Sequence, residues 1–283
     1  MRRLGVHTSI SGGLPLSLKR SEALGCNTLQ IFSHNPRSWA VKQISEEDVS
    51  TFRSLRLSLG ISPVFVHSSY LLNMASRDVS LRKKSVDLLA VEMTRADTIG
   101  ADYVILHTGS ASGEDEGIAR RRAIDALNEV SVSGAWNAGL LLENTAGERG
   151  DISSRVGHLA DMVAGVKGHL IRGICLDTCH AYAAGYDIRG ETGMRALSRE
   201  IERHLGPEKI KLIHLNDSKG SVGCRVDRHE HIGLGRIGAD GLRRFVNHKL
   251  FMNIPLILET PKKQETDDQE NLERVRKMIR TKR

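Results

Sequence analysis

The sequence has few cysteines and no long hydrophobic run. Its 283 residues include four cysteines, at positions 26, 175, 179 and 224, and none of them forms a Cys-x-x-Cys pair. Four are too few for a disulfide framework in a chain of this length, so we expect the protein to reside in a reducing cytoplasm. No run approaches the roughly 18 apolar residues of a membrane span, and the first residues contain no signal-peptide core. We therefore expect neither a membrane protein nor an exported one.

The composition is that of a folded globular chain with a basic excess. Hydrophobic residues make up 40% of the chain and charged residues 27%, which is too apolar for a disordered chain and too charged for a membrane protein. Lys and Arg number 41 against 34 for Asp and Glu, so the net charge is +7. This excess favours polyanionic partners only mildly, and solvated surface charge explains it equally well.

A short apolar run followed by an amphipathic segment recurs along the whole chain, which predicts alternating strands and helices. The eight predicted strands are Leu4 to His7, Thr28 to Ser33, Pro63 to Ser68, Tyr103 to Thr108, Leu140 to Thr145, Gly173 to Thr178, Lys211 to Asn216 and Pro255 to Thr260. The predicted helices include Leu81 to Ile99, Gly117 to Val130, Ile152 to Val166, Glu191 to His204 and Ala239 to Val246.

Eight such units predict the α/β fold class and a (β/α)8 TIM barrel, with parallel strands inside and helices outside. An open doubly wound sheet is the structural alternative. Neither arrangement needs a linker, so we expect residues 1–283 to form a single domain. The last residues, from about 274 to 283, are rich in Lys and Arg and are expected to form a basic solvated tail.

Six of the predicted strands end in a histidine or a carboxylate. These residues follow one another at intervals of 34 to 45 residues, close to one β/α unit, and they are His67, His107, Glu143, Asp177, His214 and Glu259. In a barrel they should converge at the carboxyl-terminal mouth, where such folds keep their chemistry. One histidine in this position would most simply be a hydrogen-bonded core residue, but six in register predict a functional site.

Three carboxylates at one barrel mouth would repel one another unless they bind metal. Imidazole and carboxylate together suit zinc, and they suit manganese or iron better than calcium or magnesium. Two further clusters add three candidates, namely His180, three residues after Asp177, and the pair Asp227 and His229. Nine ligands exceed one four-coordinate site and fit three ions with a bridging carboxylate. Cys175 and Cys179 are weak competitors as ligands.

Several short motifs occur in a specific order along nearly the whole chain. They are Gly5-Val6-His7-Thr8-Ser9, Phe32-Ser33-His34-Asn35-Pro36-Arg37-Ser38-Trp39, His67-Ser68-Ser69-Tyr70-Leu71-Leu72-Asn73, Leu142-Glu143-Asn144-Thr145-Ala146-Gly147, Leu176-Asp177-Thr178-Cys179-His180, His214-Leu215-Asn216-Asp217-Ser218-Lys219, Asp227-Arg228-His229-Glu230-His231-Ile232-Gly233 and Glu259-Thr260-Pro261. Together they resemble the endonuclease IV family of apurinic/apyrimidinic endonucleases, which is built on a trinuclear zinc (β/α)8 barrel.

The resemblance implies a role for each of the nine ligands. His67, His107 and Glu143 would hold one zinc, and Glu143 would bridge to a second. The second ion would also be held by Asp177, His214 and Glu259, and the third by His180, Asp227 and His229. Glu143 and Glu259 are the expected catalytic residues.

The resemblance also implies that Arg37, Tyr70 and Leu71 contact DNA. Tyr70 and Leu71 could instead simply cover the end of the barrel, and Arg37 could be an ordinary surface charge. His7, His34 and His231 are expected to line the groove.

The activity implied by the resemblance is zinc-dependent hydrolysis of the phosphodiester 5′ to an abasic site. The products would be a 3′-hydroxyl and a 5′ deoxyribose phosphate, with removal of blocked 3′ ends as a second activity. The expected partner is double-stranded DNA with such damage, bound by a cytoplasmic, nucleoid-associated monomer. No membrane or obligate protein partner is expected.

Two other functions compete with this one. A xylose isomerase-like sugar isomerase or epimerase would share a metal-bearing barrel but would have no use for Asp227 and His229. A nucleic-acid or damage-binding module with structural metals would lack phosphodiester hydrolysis. The Gly-x-Gly-x-x-Gly sequence at 233–238 follows a charged loop rather than a strand, so it does not predict a dinucleotide site.

Overall fold

The computed structural model describes residues 2–280, and within them eight parallel strands alternate with helices. The barrel strands are β1 (Leu4–Val6), β2 (Leu29–Phe32), β3 (Val64–His67), β4 (Tyr103–Leu106), β5 (Gly139–Glu143), β6 (Ile171–Asp177), β7 (Ile210–His214) and β10 (Leu256–Leu258). Each of the eight predicted runs overlaps one of these strands. The prediction of a TIM barrel is therefore confirmed, and that of an open doubly wound sheet is wrong.

The barrel closes between its first two strands. The hydrogen-bonded order is β1-β10-β7-β6-β5-β4-β3-β2, with every pairing parallel. A parallel bridge joins His7 to Gln30, and the Thr8 amide donates to the Gln30 carbonyl at 2.8 Å. Gly5 permits this closure, because a Cβ there would collide with the Thr28 carbonyl.

Helices surround the barrel, and α3 shows the usual capping chemistry at both of its ends. The helices are α1 (Leu14–Ala23), α2 (Glu46–Leu59), α3 (Val79–Ile99), α4 (Glu116–Ser133), α5 (Val156–Gly165), α6 (Thr178–Ala183), α7 (Glu191–His204), α8 (Gly238–Val246) and α9 (Asp267–Met278). Asp78 accepts from the amides of Ser80 and Leu81 at the start of α3, and Gly100 ends that helix with a φ of 73°. A side-chain acceptor and a left-handed glycine are the usual signals for these two ends.

The barrel interior is a separate apolar layer directly beneath the mouth. It consists of Phe65, Ile105, Leu141, Cys175, Leu212 and Ile257, all with no exposed surface. Side chains alternate along a strand, so the residue two positions after each of these again faces inward, but at the carboxyl end. These positions are 67, 107, 143, 177, 214 and 259. The layer therefore forms the floor of a site built from the predicted polar residues.

Two parts of the structure differ from the sequence prediction. A two-stranded antiparallel hairpin, β8 (Asp217–Ser218) with β9 (His229–Glu230), follows β7 and lies outside the barrel sheet. The expected tail begins inside α9, where Val275 and Met278 are buried because the helix packs on the core. Its last residues, 281–283, lie outside the described residues. Among residues 2–280, no helix is both long and apolar enough to cross a membrane.

Candidate metal centre

Glu143 lies at the middle of the barrel mouth, with its side chain fully buried. Its Oε2 is 3.1 Å from His107 Nε2 and 3.4 Å from His67 Nε2. Its other oxygen, Oε1, is 2.9 Å from His214 Nδ1. The two oxygens of one carboxylate thus face two different sets of histidines, which is the arrangement a bridging ligand requires.

A second set of donor atoms gathers on the Oε1 side of Glu143. Glu259 Oε2 is 3.2 Å from His214 Nδ1. One donor atom each from Glu143, Asp177, His214 and Glu259 lie within 4.8 Å of one another. Another such group is His67, His107 and Glu143. Glu143 belongs to both.

A third set lies where the β8–β9 hairpin meets the end of β6. Asp227 places Oδ2 at 3.2 Å from His180 Nε2 and Oδ1 at 3.2 Å from His229 Nε2. Asp177 Oδ2 is 3.7 Å from the same His229 nitrogen, which connects this set to the second one. The structure therefore brings all nine predicted residues together in one contiguous cluster.

In four of the histidine rings, the nitrogen that faces away from the cluster makes a hydrogen bond that orients the ring. Backbone carbonyl groups accept from Nδ1 of His67, His180 and His229, at 2.8, 2.9 and 3.0 Å respectively. This leaves Nε2 of each ring directed into the cluster. In His214 the two nitrogens exchange these roles: Nε2 donates to Gln30 Oε1 at 2.7 Å, and Nδ1 faces the carboxylates. Such contacts fix the tautomer and orientation of metal-ligating histidines.

The cluster has the unsatisfied polar atoms that a bound cation would satisfy. Glu143 Oε2, His180 Nε2 and His229 Nε2 are buried without a hydrogen-bond partner among the described residues. Buried polar atoms are rarely left in this state, because each costs free energy unless it is paired. All three atoms point toward the donor groups described above. The residues present therefore fit divalent metal ions.

The charges of the cluster indicate the same need for a cation. Burial lowers the pKa of His180, but the nearby carboxylates of Asp177 and Asp227 outweigh it and raise the pKa well above its usual value. Burial raises the pKa of Glu143, but His214 and His107 outweigh it and lower the pKa well below its usual value. The Glu143 carboxylate thus favours its charged form, and protons are favoured on His180. Metal ions can replace those protons.

The cysteines near the cluster do not share this chemistry. Cys175 lies in the apolar floor, and burial raises the pKa of its thiol to about 12. Burial also raises the pKa of Cys179 to about 12. Each thiol sulfur lies within 4.8 Å of donor atoms of candidate ligands. A neutral thiol is nevertheless a poor metal ligand beside ionised carboxylates.

A cavity of about 370 Å³ opens above the cluster, and of the predicted DNA-contacting residues Tyr70 lines it, at the rim. Tyr70 is 60% exposed, and its ring packs edge-on against Phe32 at 5.2 Å. Leu71 is half-buried beside it, and Arg37 is exposed on the neighbouring loop. The Tyr70 amide donates to the carbonyl of Pro36 at 3.2 Å, so the two loops touch.

Two polar residues of the site were not predicted from the sequence. Gln30 donates through Nε2 to Glu259 Oε1 at 2.6 Å, in addition to accepting from His214. Its only sequence signal is an amide in an otherwise apolar strand. Lys262 lines the cavity, where Nζ donates to the His7 carbonyl at 2.5 Å and to Asp268 at 2.6 Å.

Of the three histidines expected to line the groove, His7 does so. His34 does not, because it is 8% exposed and its Nε2 contacts Glu92 Oε1 at 2.8 Å beneath the loops. His231 is half-buried, with Nδ1 at 3.0 Å from the Asn271 amide nitrogen.

Comparison with known proteins agrees with the fold and relates the sequence to one family. Residues 18–282 match the family described as xylose isomerase-like TIM barrel. "Probable endonuclease 4" of Methanoculleus marisnigri is 41% identical over 276 residues, covering 97% of this chain and 98% of its own. The crystal structure of endonuclease IV from Thermus thermophilus is 36% identical, with a TM-score of 0.86 and 98% of both chains covered.

A more distant likeness shows the fold alone. The crystal structure of a D-tagatose 3-epimerase-like protein superimposes with a TM-score of 0.71 over 97% of each chain, but only 18% of the residues are identical. The higher sequence identity over the full length is to the endonucleases. With its barrel, its metal-binding cluster and that identity, this chain belongs to the endonuclease IV family of xylose isomerase-like TIM barrels.

Proposed function

We propose that this protein is a metal-dependent DNA repair enzyme that hydrolyses the phosphodiester 5′ to abasic sites. The products are a 3′-hydroxyl and a 5′ deoxyribose phosphate, and the same site removes blocked 3′ ends. The observation that carries the proposal is the position of Glu143, whose two oxygens face separate histidine sets in a chain related to endonucleases over its full length.

We propose three zinc ions per chain, with manganese or iron possible in some positions. The first is held by His67, His107 and Glu143, and the second by Glu143, Asp177, His214 and Glu259. The third is held by His180, Asp227 and His229. When bound, such ions lower the pKa of water and neutralise charge on a phosphodiester.

Glu259 is the carboxylate best placed to take the proton of the attacking water. Its side chain is 18% exposed and lines the cavity, whereas Glu143 is completely buried. Gln30 Nε2 donates to Glu259 Oε1 and leaves Oε2 free to face the donor cluster. Glu143 therefore serves as the ligand shared by two donor groups, and Glu259 takes the proton.

The rim residues recognise the damaged site. The exposed ring of Tyr70 and the side chain of Leu71 can fill the gap left by a missing base, while Arg37 contacts the backbone. Turning the sugar out of the stack costs less at an abasic site than at an intact nucleotide, so apolar wedges select damage. Lys262 Nζ, which is paired with Asp268, lies at the cavity and can contact phosphate.

We also propose that the chain is a single domain acting as a monomer on DNA in the cytoplasm, associated with the nucleoid. All nine candidate ligands and the rim residues come from one chain, so a partner subunit is not required. Light scattering at the concentrations used for cleavage tests the monomer.

The decisive experiment combines metal analysis with cleavage of a defined duplex. The substrate carries one abasic site and labels at both ends of the damaged strand. Cleavage 5′ to the site, with a 3′ end that a DNA polymerase extends, supports the proposal. Epimerisation of ketohexoses by a protein that does not cleave this duplex would instead establish the sugar epimerase alternative.

A further inference from the structure

A buried glutamate lies beneath the rim, outside the metal centre. Glu92 belongs to α3, and its side chain is 1% exposed. None of the nine candidate ligands contacts it within salt-bridge distance. A buried carboxylate away from the chemistry needs another explanation.

One oxygen of Glu92 joins the two rim loops. Its Oε1 accepts from the Ser69 amide at 2.8 Å, in the loop after β3. The same oxygen is 2.8 Å from His34 Nε2, in the loop after β2. Because a carboxylate only accepts, His34 carries a proton on Nε2. Ser69 precedes Tyr70, and His34 lies three residues before Arg37.

The next turn of α3 reinforces the loop after β2. Arg95 is three residues after Glu92 and therefore lies on the same face of the helix. Its guanidinium donates to the Ser33 carbonyl and to the Lys42 carbonyl, the latter at 2.7 Å. The loop is thus held to α3 at both ends.

The two loops are also bonded to each other. Ser69 Oγ donates to the Pro36 carbonyl at 2.7 Å, and the Tyr70 amide donates to the same carbonyl at 3.2 Å. Pro36 precedes Arg37 in the chain. The position of Glu92 is therefore transmitted to Arg37, Tyr70 and Leu71 through short hydrogen-bonded links.

Stability alone does not explain this arrangement. Glu92 Oε2 and His34 Nδ1 are buried without hydrogen-bond partners among residues 2–280. A buried polar or ionic pair is weak evidence for stability, and well-packed apolar residues of similar volume often replace such a pair at no cost. Its benefit is geometric, since it gives the two loops one shared anchor.

We propose that Glu92 is a positioning residue that holds the Arg37 loop and the Tyr70–Leu71 loop in register for damaged DNA. This inference rests on the proposed role of those three residues in DNA binding. Glu92 acts through the loops and touches neither substrate nor metal. Its loss should therefore weaken binding and selectivity more than the chemical step.

The experiment uses Glu92→Leu, which removes the acceptor, and Glu92→Gln, whose amide oxygen can still accept both hydrogen bonds. Val130→Ala, in the buried core of α4, is the control for general destabilisation. The chain has two tryptophans, and Trp39 is two residues after Arg37, so a Trp136→Phe background makes fluorescence a reporter of the loop. All variants are prepared with their metals.

The loop measurement does not depend on activity. Trp39 is 39% exposed in the parent, and Glu92→Leu is expected to raise its acrylamide quenching by up to about twofold, as local opening exposes the loop further. Glu92→Gln and Val130→Ala should match the parent. Should Glu92→Leu not fold, His34→Phe removes only the link to the Arg37 loop and is expected to raise the quenching as well.

The DNA measurement uses an abasic duplex and an intact one at the same salt concentration. Glu92→Leu should weaken binding to the abasic duplex by about tenfold, the effect of losing roughly one hydrogen bond to a charged group. The preference for the abasic over the intact duplex should fall together with this affinity. The single-turnover rate at saturating enzyme should stay within about threefold of the parent, because the chemistry is untouched. Metal content should not change.

Parent-like quenching and affinity in Glu92→Leu would overturn the inference. So would equal losses in Glu92→Gln or Val130→Ala, or a loss of metal in Glu92→Leu. A parent protein that does not cleave the abasic duplex would refute the proposed function instead. In that case the Trp39 quenching still decides whether Glu92 anchors the loop.

Discussion

Glu143 Oε1 lies 2.9 Å from His214 Nδ1, and both side chains are completely buried. His214 is held from behind by Gln30, so the imidazole cannot turn away from the carboxylate. The centre of the site is therefore preorganised by side chains from three strands of the barrel, β2, β5 and β7. Replacing either partner should disturb the metal before it disturbs the fold.

Glu143→Gln keeps the shape of the side chain but removes its charge. An amide is a poor bridge, so we expect the loss of at least one metal and a fall in turnover of at least about a hundredfold, the order seen when a catalytic electrostatic group is lost. Single-turnover cleavage, metal content and circular dichroism on one sample test this. Glu92→Gln, at the other buried glutamate described here, should retain all its metal. Normal cleavage with full metal content would show that Glu143 is not the bridge.

Gln30→Met removes the acceptor for His214 and the donor to Glu259 while preserving side-chain length. Loss of a hydrogen bond to a metal-binding side chain typically lowers metal affinity by about 10- to 100-fold, so we expect metal binding to weaken by that amount. Competition with a chromogenic chelator measures it. Gln264→Met, at an exposed position, is the matched control. Equal affinities in the two variants would remove Gln30 from the site.

The double replacement of Tyr70 and Leu71 by Ala should reduce the preference for abasic over intact duplex and leave metal content unchanged. Neither residue belongs to the donor groups, and Tyr70 is exposed at the rim. Binding assays must be done at one salt concentration, because phosphate contacts depend on salt. Unchanged affinity and preference would leave these residues with the simpler role of covering the barrel.

Metal removal should make stability depend on pH. Despite the opposing effect of burial, neighbouring negative charges raise the pKa of His180 and His214 well above the usual value. A raised histidine pKa contributes stability that is fully present below the unfolded value, about 6.5, and is lost as pH rises through the folded value. The lowered pKa values of Glu143 and Glu259 affect stability only at acidic pH.

We therefore expect the melting temperature of the metal-free protein to fall from pH 6.5 toward alkaline pH. The metal-loaded protein should change less over the same range, since its histidines carry metal rather than protons. Thermal unfolding of both forms in matched buffers tests this difference. Parallel curves would indicate that the histidines are not protonated in the metal-free state.

The sequence by itself determined the barrel and six positions at its mouth. Apolar runs such as Leu140 to Leu142 show where the buried strands lie, and the polar residue after each run shows which end carries the site. This works because strand geometry is local and repeats every two residues. The remaining candidate ligands, His180, Asp227 and His229, are predicted from their clusters and the family resemblance.

Only the tertiary structure decided which polar residues support the site. Gln30 meets Glu259 across 229 positions of sequence, and Glu92 meets His34 across 58. The β8–β9 hairpin likewise owes its place to contacts beyond its own few residues, because two-residue strands carry no periodic signal. Hydrogen bonds between distant segments depend on how the closed barrel brings loops together. No local pattern of residues contains that information.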